Sequence, residues 1–266
     1  MMVAGKVIVD KREGSVALLI LNNPERRNPI DPEMIGQLVQ ALEEMERDDG
    51  VKVIVLTGQG DHFSSGGDLK LAGSEEWSIE GCRGRENSRH NAKPVRAIWQ
   101  MEKPVIAMVK GYAIGGGMSL ALACDIIFAA DDAKFASNFL RIGLIPEMGA
   151  LCFLPIAVGL NRAKELWFSA KQIDVHEAYR LGIVNQVFPK EKLEEETLSF
   201  AKEIAEMPTV AVRITKRILN ATFLNMLDNI LENEAQAIPF CGLTKEVKEN
   251  IAAFREKRAS HFFKKK

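Results

Sequence analysis

Two stretches of this sequence could do chemistry through the backbone alone. Residues 53–70 run from an apolar segment into Phe63-Ser64-Ser65-Gly66-Gly67-Asp68-Leu69. Residues 105–125 run likewise into Gly111-Tyr112-Ala113-Ile114-Gly115-Gly116-Gly117. A glycine run between a strand and a helix lets main-chain N–H groups approach a ligand and point at it. The second run also opens a helix, whose N-terminal dipole favours negative charge developing nearby. Other uses compete with this one. A phosphate cradle needs GxxxxGK[ST] or GxGxxG, and neither loop has either pattern. Close packing of a helix on a sheet also selects glycine, and for one loop alone that reading is an even match. Two such loops in one chain favour the donors.

Other chemistries find less support. His62, His90, His176 and His261 lack metal-ligand spacing. Cys82, Cys124, Cys152 and Cys241 form no CxxC pair and read as dispersed reduced thiols. No serine lies in GxSxG, so a serine nucleophile is not expected. His62, close to the first loop, reads as solvent-exposed. No metal site and no tightly bound cofactor are expected. The formal net charge of −1 gives no global attraction to nucleic acid or a membrane surface. The tail Lys264-Lys265-Lys266 reads as a solvated end. No apolar run approaches the ~20 residues that span a bilayer, and the first eleven residues lack a signal-peptide core. A cytoplasmic protein is expected.

The elements that must position the loops follow from periodicity. Residues 6–10 and 15–22 read as a strand pair around Glu13-Gly14. Residues 32–48 carry Met34, Ile35, Leu38, Val39, Leu42 and Met45 on one stripe, a helix pattern. Residues 51–57 and 104–110 are buried strands that feed the two glycine loops. Residues 74–102 are polar and irregular, helical only towards Ile98-Trp99. A helix starts at Gly116, and 125–130 and 134–136 read as short strands. From about residue 190 strand signals vanish. Helical patterns cover 190–206, 209–221, 227–237 and 244–257, punctuated by Pro208 and Pro239. The division expected is a core over 1–190 and a helical region over 191–266.

Taken together, several motifs resemble the enoyl-CoA hydratase/isomerase (crotonase) family over nearly the whole chain. They are Asn23-Pro24-Glu25-Arg26-Arg27-Asn28, the two glycine loops, Gly143-Leu144-Ile145-Pro146, Ala178-Tyr179-Arg180-Leu181-Gly182-Ile183-Val184-Asn185 and Phe254-Arg255-Glu256-Lys257-Arg258. The resemblance implies an α/β spiral of repeated β-β-α units. Its C-terminal helices would pack between subunits, giving a homotrimer or a dimer of trimers. It also implies that the N–H groups of Gly67 and Gly116 form an oxyanion hole for a CoA-thioester enolate. Two preorganised donors in a dry site can stabilise such charge by roughly 3–4 kcal/mol each. The acyl-CoA substrate would meet Arg26 and Arg27 near its phosphates. Ser65, Asp68 and Leu69 would line the adenine and pantetheine path, and Phe254 and Lys257 would close the CoA site, across a subunit boundary in one version. Without the resemblance, Arg26, Arg27 and Lys257 read as solvated charges and Phe254 as an ordinary apolar helix residue.

Hydratases of that family use two glutamates. At the matching positions this chain has Ser119 and the pair Asn138-Phe139. Several family isomerases carry their single acid or base where this chain has Glu147, directly after Pro146. Its apolar neighbours Leu144, Ile145, Met148, Leu151 and Phe153 suit a carboxyl with a raised pKa. The competing use of Glu147 is a charge before the helix over 149–158. Ser119 reads as packing within its helix. The favoured function is a single-carboxylate enoyl-CoA isomerase that shifts a double bond between the 3 and 2 positions. The alternatives are hydration or thioester hydrolysis by an unusual residue set, ring cleavage, or a non-catalytic CoA-binding protein.

Overall fold

A computed structural model describes residues 5–72, 74 and 77–260. His261 and the lysine tail lie outside the described residues.

Among the described residues the main sheet has six strands, a hairpin followed by strands reached through crossovers. Its strands are β1 (Val7–Arg12), β2 (Val16–Leu21), β4 (Val53–Gly58), β6 (Val105–Val109), β8 (Ile126–Ala130) and β11 (Gln186–Phe188), adjacent in that order. β1 pairs antiparallel with β2, and every later pairing is parallel. All residues of β4 and β6 are buried. Parallel strands covered on both faces read as unbroken apolar runs, which is why these two were legible. Shorter strands turn away from the main sheet. β3 (Pro29–Ile30) pairs with β5 (Gly66–Gly67), and β7 (Tyr112–Ile114), β9 (Lys134–Ala136) and β10 (Ile173–Asp174) form a second layer. So β4 leads to β5, β6 to β7 and β8 to β9, each step carrying the chain from the sheet to the site.

Helices fill the turns. α1 (Pro32–Arg47) starts at Asp31, whose carboxylate accepts the Met34 N–H at 2.8 Å. α2 (Gly81–Asn91) and α3 (Lys93–Gln100) occupy the segment whose sequence looked irregular. α4 (Gly116–Ala123) follows the second glycine run and is almost wholly buried. α5 (Phe139–Ile142), α6 (Ala150–Val158), α7 (Leu160–Ser169) and α8 (Val175–Arg180) complete the central part. α9 (Leu193–Glu206) seals the outer face of the main sheet with Leu193, Ala201 and Ala205 against Val53, Val55 and Ile106. α10 (Thr209–Gly242) and α11 (Lys245–Arg255) follow.

α10 corrects one expectation. The patterns at 209–221 and 227–237 belong to one 34-residue helix that runs through Pro239. No glycine or proline interrupts residues 209–238. Pro239 removes a donor only in the last turn, where few helical bonds remain to be lost. The buried positions also drift around the helix, from Lys216 to Leu227, Leu231, Glu234, Ala235 and Ile238. A long helix that changes partners shows no single stripe in its sequence.

Candidate active site

The two glycine loops meet. Asn28 clamps the first, its Nδ2 donating to the carbonyls of Gln59 at 2.9 Å and His62 at 2.8 Å. The buried Ser64 hydroxyl donates to the Asn28 carbonyl at 2.7 Å and accepts the Gly66 N–H at 3.1 Å. Gly66 has φ +86°, and a Cβ there would stand 2.4 Å from the Ile114 carbonyl oxygen, so the second loop admits only glycine beside it. The N–H groups flanking Gly67 are engaged, Gly66 by Ser64 and Asp68 by the Ile30 carbonyl. In front of Gly67 the space is open, with no atom within 4 Å of where a Cβ would be. Gly116 is the first residue of α4, where a helix supplies no acceptor for the N–H. A Cβ on Gly116 would lie 3.7 Å from the Gly67 nitrogen and 2.9 Å from Met148 Sδ. Both glycines line a cavity of about 100 Å³ walled by Ile30, Leu69, Trp77, Phe139, Leu144 and Met148.

Glu147 lines the same cavity. As a residue it is partly exposed. Burial raises its carboxyl to a pKa of about 7, against hydrogen bonds from Asn91 and Ser88 that favour the anion. The Ser88 hydroxyl lies 3.4 Å from Glu147 Oε2. Glu147 sits on a turn, not inside a helix. Met148 and Gly149 follow it with φ of +60° and +73°, and Met148 is a side-chain-bearing residue in the left-handed region. The Ser119 hydroxyl is within reach of the Gly115 carbonyl at 3.3 Å and the Glu147 carbonyl at 3.0 Å. The helix that presents Gly116 therefore also holds the main chain of Glu147.

Among the described residues, Asp68 is the other acid on the cavity wall. Both its oxygens accept from Arg26, each at 2.7 Å, so it is committed to that guanidinium. Ser65 and Leu69 line the cavity as well. Arg27, left-handed at φ +62°, lies 5.6 Å above the Tyr112 ring. Phe254 is half exposed, and neither it nor Lys257 lines the cavity in this chain. Ile145, Leu151 and Phe153 pack away from it, whereas Leu144 and Met148 face it. His62 is not the exposed residue its sequence implied. It stacks on Tyr112 at 4.7 Å and accepts the Tyr112 N–H at 3.3 Å, and burial lowers its pKa. β7 brings Tyr112 over it, a pairing fifty positions away in sequence.

Three supports of Glu147 escaped sequence reading. Ser88 and Asn91 lie on α2, among Gly84 and Asn87, which also line the cavity. These four small or amide residues have helical spacing, with Arg85, Glu86 and Arg89 between them. That period was present, but in polarity rather than hydrophobicity. The third support is Glu234 of α10, buried to 2% exposure, whose Oε2 accepts the Gly149 N–H at 3.0 Å. No motif marks it. A larger groove of about 770 Å³ lies elsewhere, lined by Trp99, Phe153, Ile156, Met207 and Leu219, and contains none of these glycines or acids apart from the paired Asp125. Among the described residues no cluster of metal-ligating side chains occurs, and no helix is long and apolar enough to cross a membrane.

Comparison with known proteins agrees with this arrangement. The model of the family described as enoyl-CoA hydratase/isomerase matches residues 11–265. A crotonyl-CoA hydratase of Syntrophomonas wolfei is 34% identical over 259 residues, covering 97% of this chain and 98% of that protein. A 1,2-epoxyphenylacetyl-CoA isomerase of Escherichia coli is 34% identical over 255 residues, covering 96% and 97%. The crystal structure of an enoyl-CoA hydratase from Mycobacterium avium subsp. paratuberculosis superposes with a TM-score of 0.86 at 30% identity, covering 98% of this chain and 99% of the other. With the family model matched over residues 11–265 and relatives of 34% identity covered almost end to end, this chain belongs to the enoyl-CoA hydratase/isomerase family.

Proposed function

We propose that the protein is a single-carboxylate enoyl-CoA isomerase, moving a double bond between the 3 and 2 positions of a CoA thioester. The observation that carries this reading is the placement of Glu147. Its carboxyl has a pKa near neutrality and shares a cavity with Gly67 and Gly116. The positions where two-glutamate hydratases carry acids are filled by Ser119 and Phe139, and among the described residues the other wall acid, Asp68, is held by Arg26. One carboxylate is enough for a 1,3 proton shift. Glu147 takes a proton from C2, and the electron pair spreads onto the thioester oxygen between the two N–H donors. The same carboxyl then returns the proton at C4, leaving the conjugated 2-enoyl thioester. A base that ionises near pH 7 is matched to both directions of transfer. CoA enters as part of the substrate. Ser65, Asp68 and Leu69 line the cavity, Arg26, held to Asp68, and Arg27 are assigned to the CoA phosphates, and Phe254 and Lys257 are assigned to the CoA site of an assembled oligomer.

The assembly is proposed as a homo-oligomer, a trimer or a pair of trimers. Val210, Ile214 and Ile218 repeat every four residues on α10 and are 69%, 38% and 61% exposed. Such a stripe beside an apolar groove fits a second copy of the chain.

The test of the function is spectrophotometric. A 3-enoyl-CoA incubated with the protein should yield the conjugated 2-enoyl chromophore, and Glu147→Gln should abolish that rate. No turnover at any chain length, or full activity in the variant, rejects the assignment. Hydration is the second reading, favoured by the Asn87, Ser88 and Asn91 amides and hydroxyl that could hold a water beside Glu147. Loss of the chromophore from a 2-enoyl-CoA, without a 3-enoyl product, would select it.

A further inference from the structure

Glu234 is a buried carboxyl with no part in the chemistry above. Its Oε2 accepts the Gly149 N–H at 3.0 Å, and the N–H groups of Met148 and Leu151 also favour its anion. Its Oε1 is buried without a hydrogen-bond partner. A carboxyl in that state is costly to bury as an anion and far cheaper as a neutral acid. The turn it holds is the strained one, where Met148 and Gly149 follow Glu147 in the left-handed region. Strain of this kind persists only where surrounding contacts enforce it. A Cβ on Gly149 would stand 2.7 Å from the Phe153 ring and 3.0 Å from Leu227, so no side chain fits at this turn without displacing them.

We propose that Glu234 is a positioning residue: as a neutral acid it pins the Glu147–Gly149 turn from behind, and its proton keeps the pair of buried carboxyls at a single negative charge. The inference rests on Glu147 as the base. The order of ionisation follows from the environments. Burial, then the Glu147 charge, raises Glu234 to about 8, above the value of about 7 for Glu147. Repulsion between two carboxylates is reciprocal and raises whichever of them ionises second. Two such groups titrate as a unit. Other titratable groups around it do not compensate. Cys152 on α6 is a neutral thiol pushed up to about 11 by burial and by Glu234 itself. His90 on α2 is lowered by burial and Lys93. The Arg89–Glu232 and Arg96–Asp228 pairs, linking α10 to α2 and α3, are neutralised within themselves.

Two measurements test this. The first needs no substrate: carboxyl carbons of glutamate are followed by NMR through a pH titration. The wild-type protein should show two transitions above pH 6. Glu147→Gln should leave the Glu234 transition and move it down, because the repelling charge is gone. An unmoved Glu234 transition, or one in the ordinary glutamate range in the wild type, overturns the proposal even if the assigned reaction is correct. The second is the pH profile of turnover. Glu234→Gln, which keeps an acceptor for Gly149 and cannot ionise, should match wild type below pH 7 and hold its rate above pH 8, where wild type falls as the pair becomes doubly charged. Glu234→Leu, which removes the acceptor, should lower kcat about 10- to 100-fold with little change in KM. Superimposable profiles for wild type and Glu234→Gln, or unchanged kcat in Glu234→Leu, overturn it. Should no substrate turn over, the NMR titration still decides.

Discussion

Glu147 should cost the fold stability in proportion to what it offers as a base. Its pKa rises from 4.5 to about 7 on burial. In the unfolded chain the carboxyl releases its proton near 4.5, while in the folded chain it holds the proton to about 7. Across that window the folded state binds more protons, so stability falls as pH rises and levels off above pH 7. The displacement is worth about 3 kcal/mol at the plateau. Glu147→Gln keeps the shape and an acceptor for Ser88 and Asn91 and removes the ionisation. The variant should therefore match wild type near pH 4.5 and exceed it by about 3 kcal/mol at pH 7.5, or roughly 5 °C in melting temperature for a chain of this length. Urea unfolding followed by tryptophan fluorescence at fixed protein concentration measures the difference, and pH 7.5 lies below the second ionisation, at Glu234. A stability difference independent of pH, or of the opposite sign, would refute a desolvated carboxyl at this position and remove the basis for neutral-pH proton transfer.

Other substitutions probe the remaining parts. Gly116→Ala would place a methyl 3.7 Å from the Gly67 nitrogen and 2.9 Å from the end of the flexible Met148 side chain, so the fold should survive, by circular dichroism, while kcat/KM falls about 100-fold or more. Arg26→Ala strands the Asp68 carboxylate, which is buried while Arg26 is a third exposed; a loss of about 1–3 kcal/mol in urea unfolding is expected after allowing for solvent screening, with a raised KM for the CoA thioester. Ile218→Glu puts a charge on the exposed α10 stripe and should reduce the mass found by light scattering towards that of a single chain.

How much of this was legible depends on where each residue's partners lie. β4 and β6 announced themselves because burial on both faces leaves no room for polar residues. The first glycine loop was legible because close backbone approach leaves no room for a side chain at Gly66, where a Cβ would stand 2.4 Å from the Ile114 carbonyl oxygen, whereas Gly67 and Gly116 were legible from the motifs around them. α10 was read in two pieces because its buried face rotates as it passes from the sheet edge to the site. His62 was misjudged for a simpler reason: Tyr112, the residue that covers it, is fifty positions away. Ser88 and Asn91 were hidden in a segment without apolar period. Their helix buries small polar residues towards a cavity and exposes arginines, a pattern that hydrophobicity cannot register.

The site as proposed redistributes work among positions rather than losing it. Ser119, where a two-glutamate enzyme has one acid, donates to the main chain of Glu147 at 3.0 Å. Phe139, where the other acid would be, walls the cavity with Leu144 and Met148, and an apolar wall is what raises the pKa of the remaining carboxyl. Glu147 itself gains its position from α4, its hydrogen bonds from α2 and the pinning of its turn from α10, three segments separated by far more than a helical turn. α2 and α10 pack directly on each other, so the C-terminal helix and the polar helix over the cavity reach the base as one support. A substitution that shifts α10 against α2 should therefore disturb proton transfer without touching the oxyanion donors, because Gly67 and Gly116 are fixed by Asn28, Ser64 and Ile114 on the other side of the cavity.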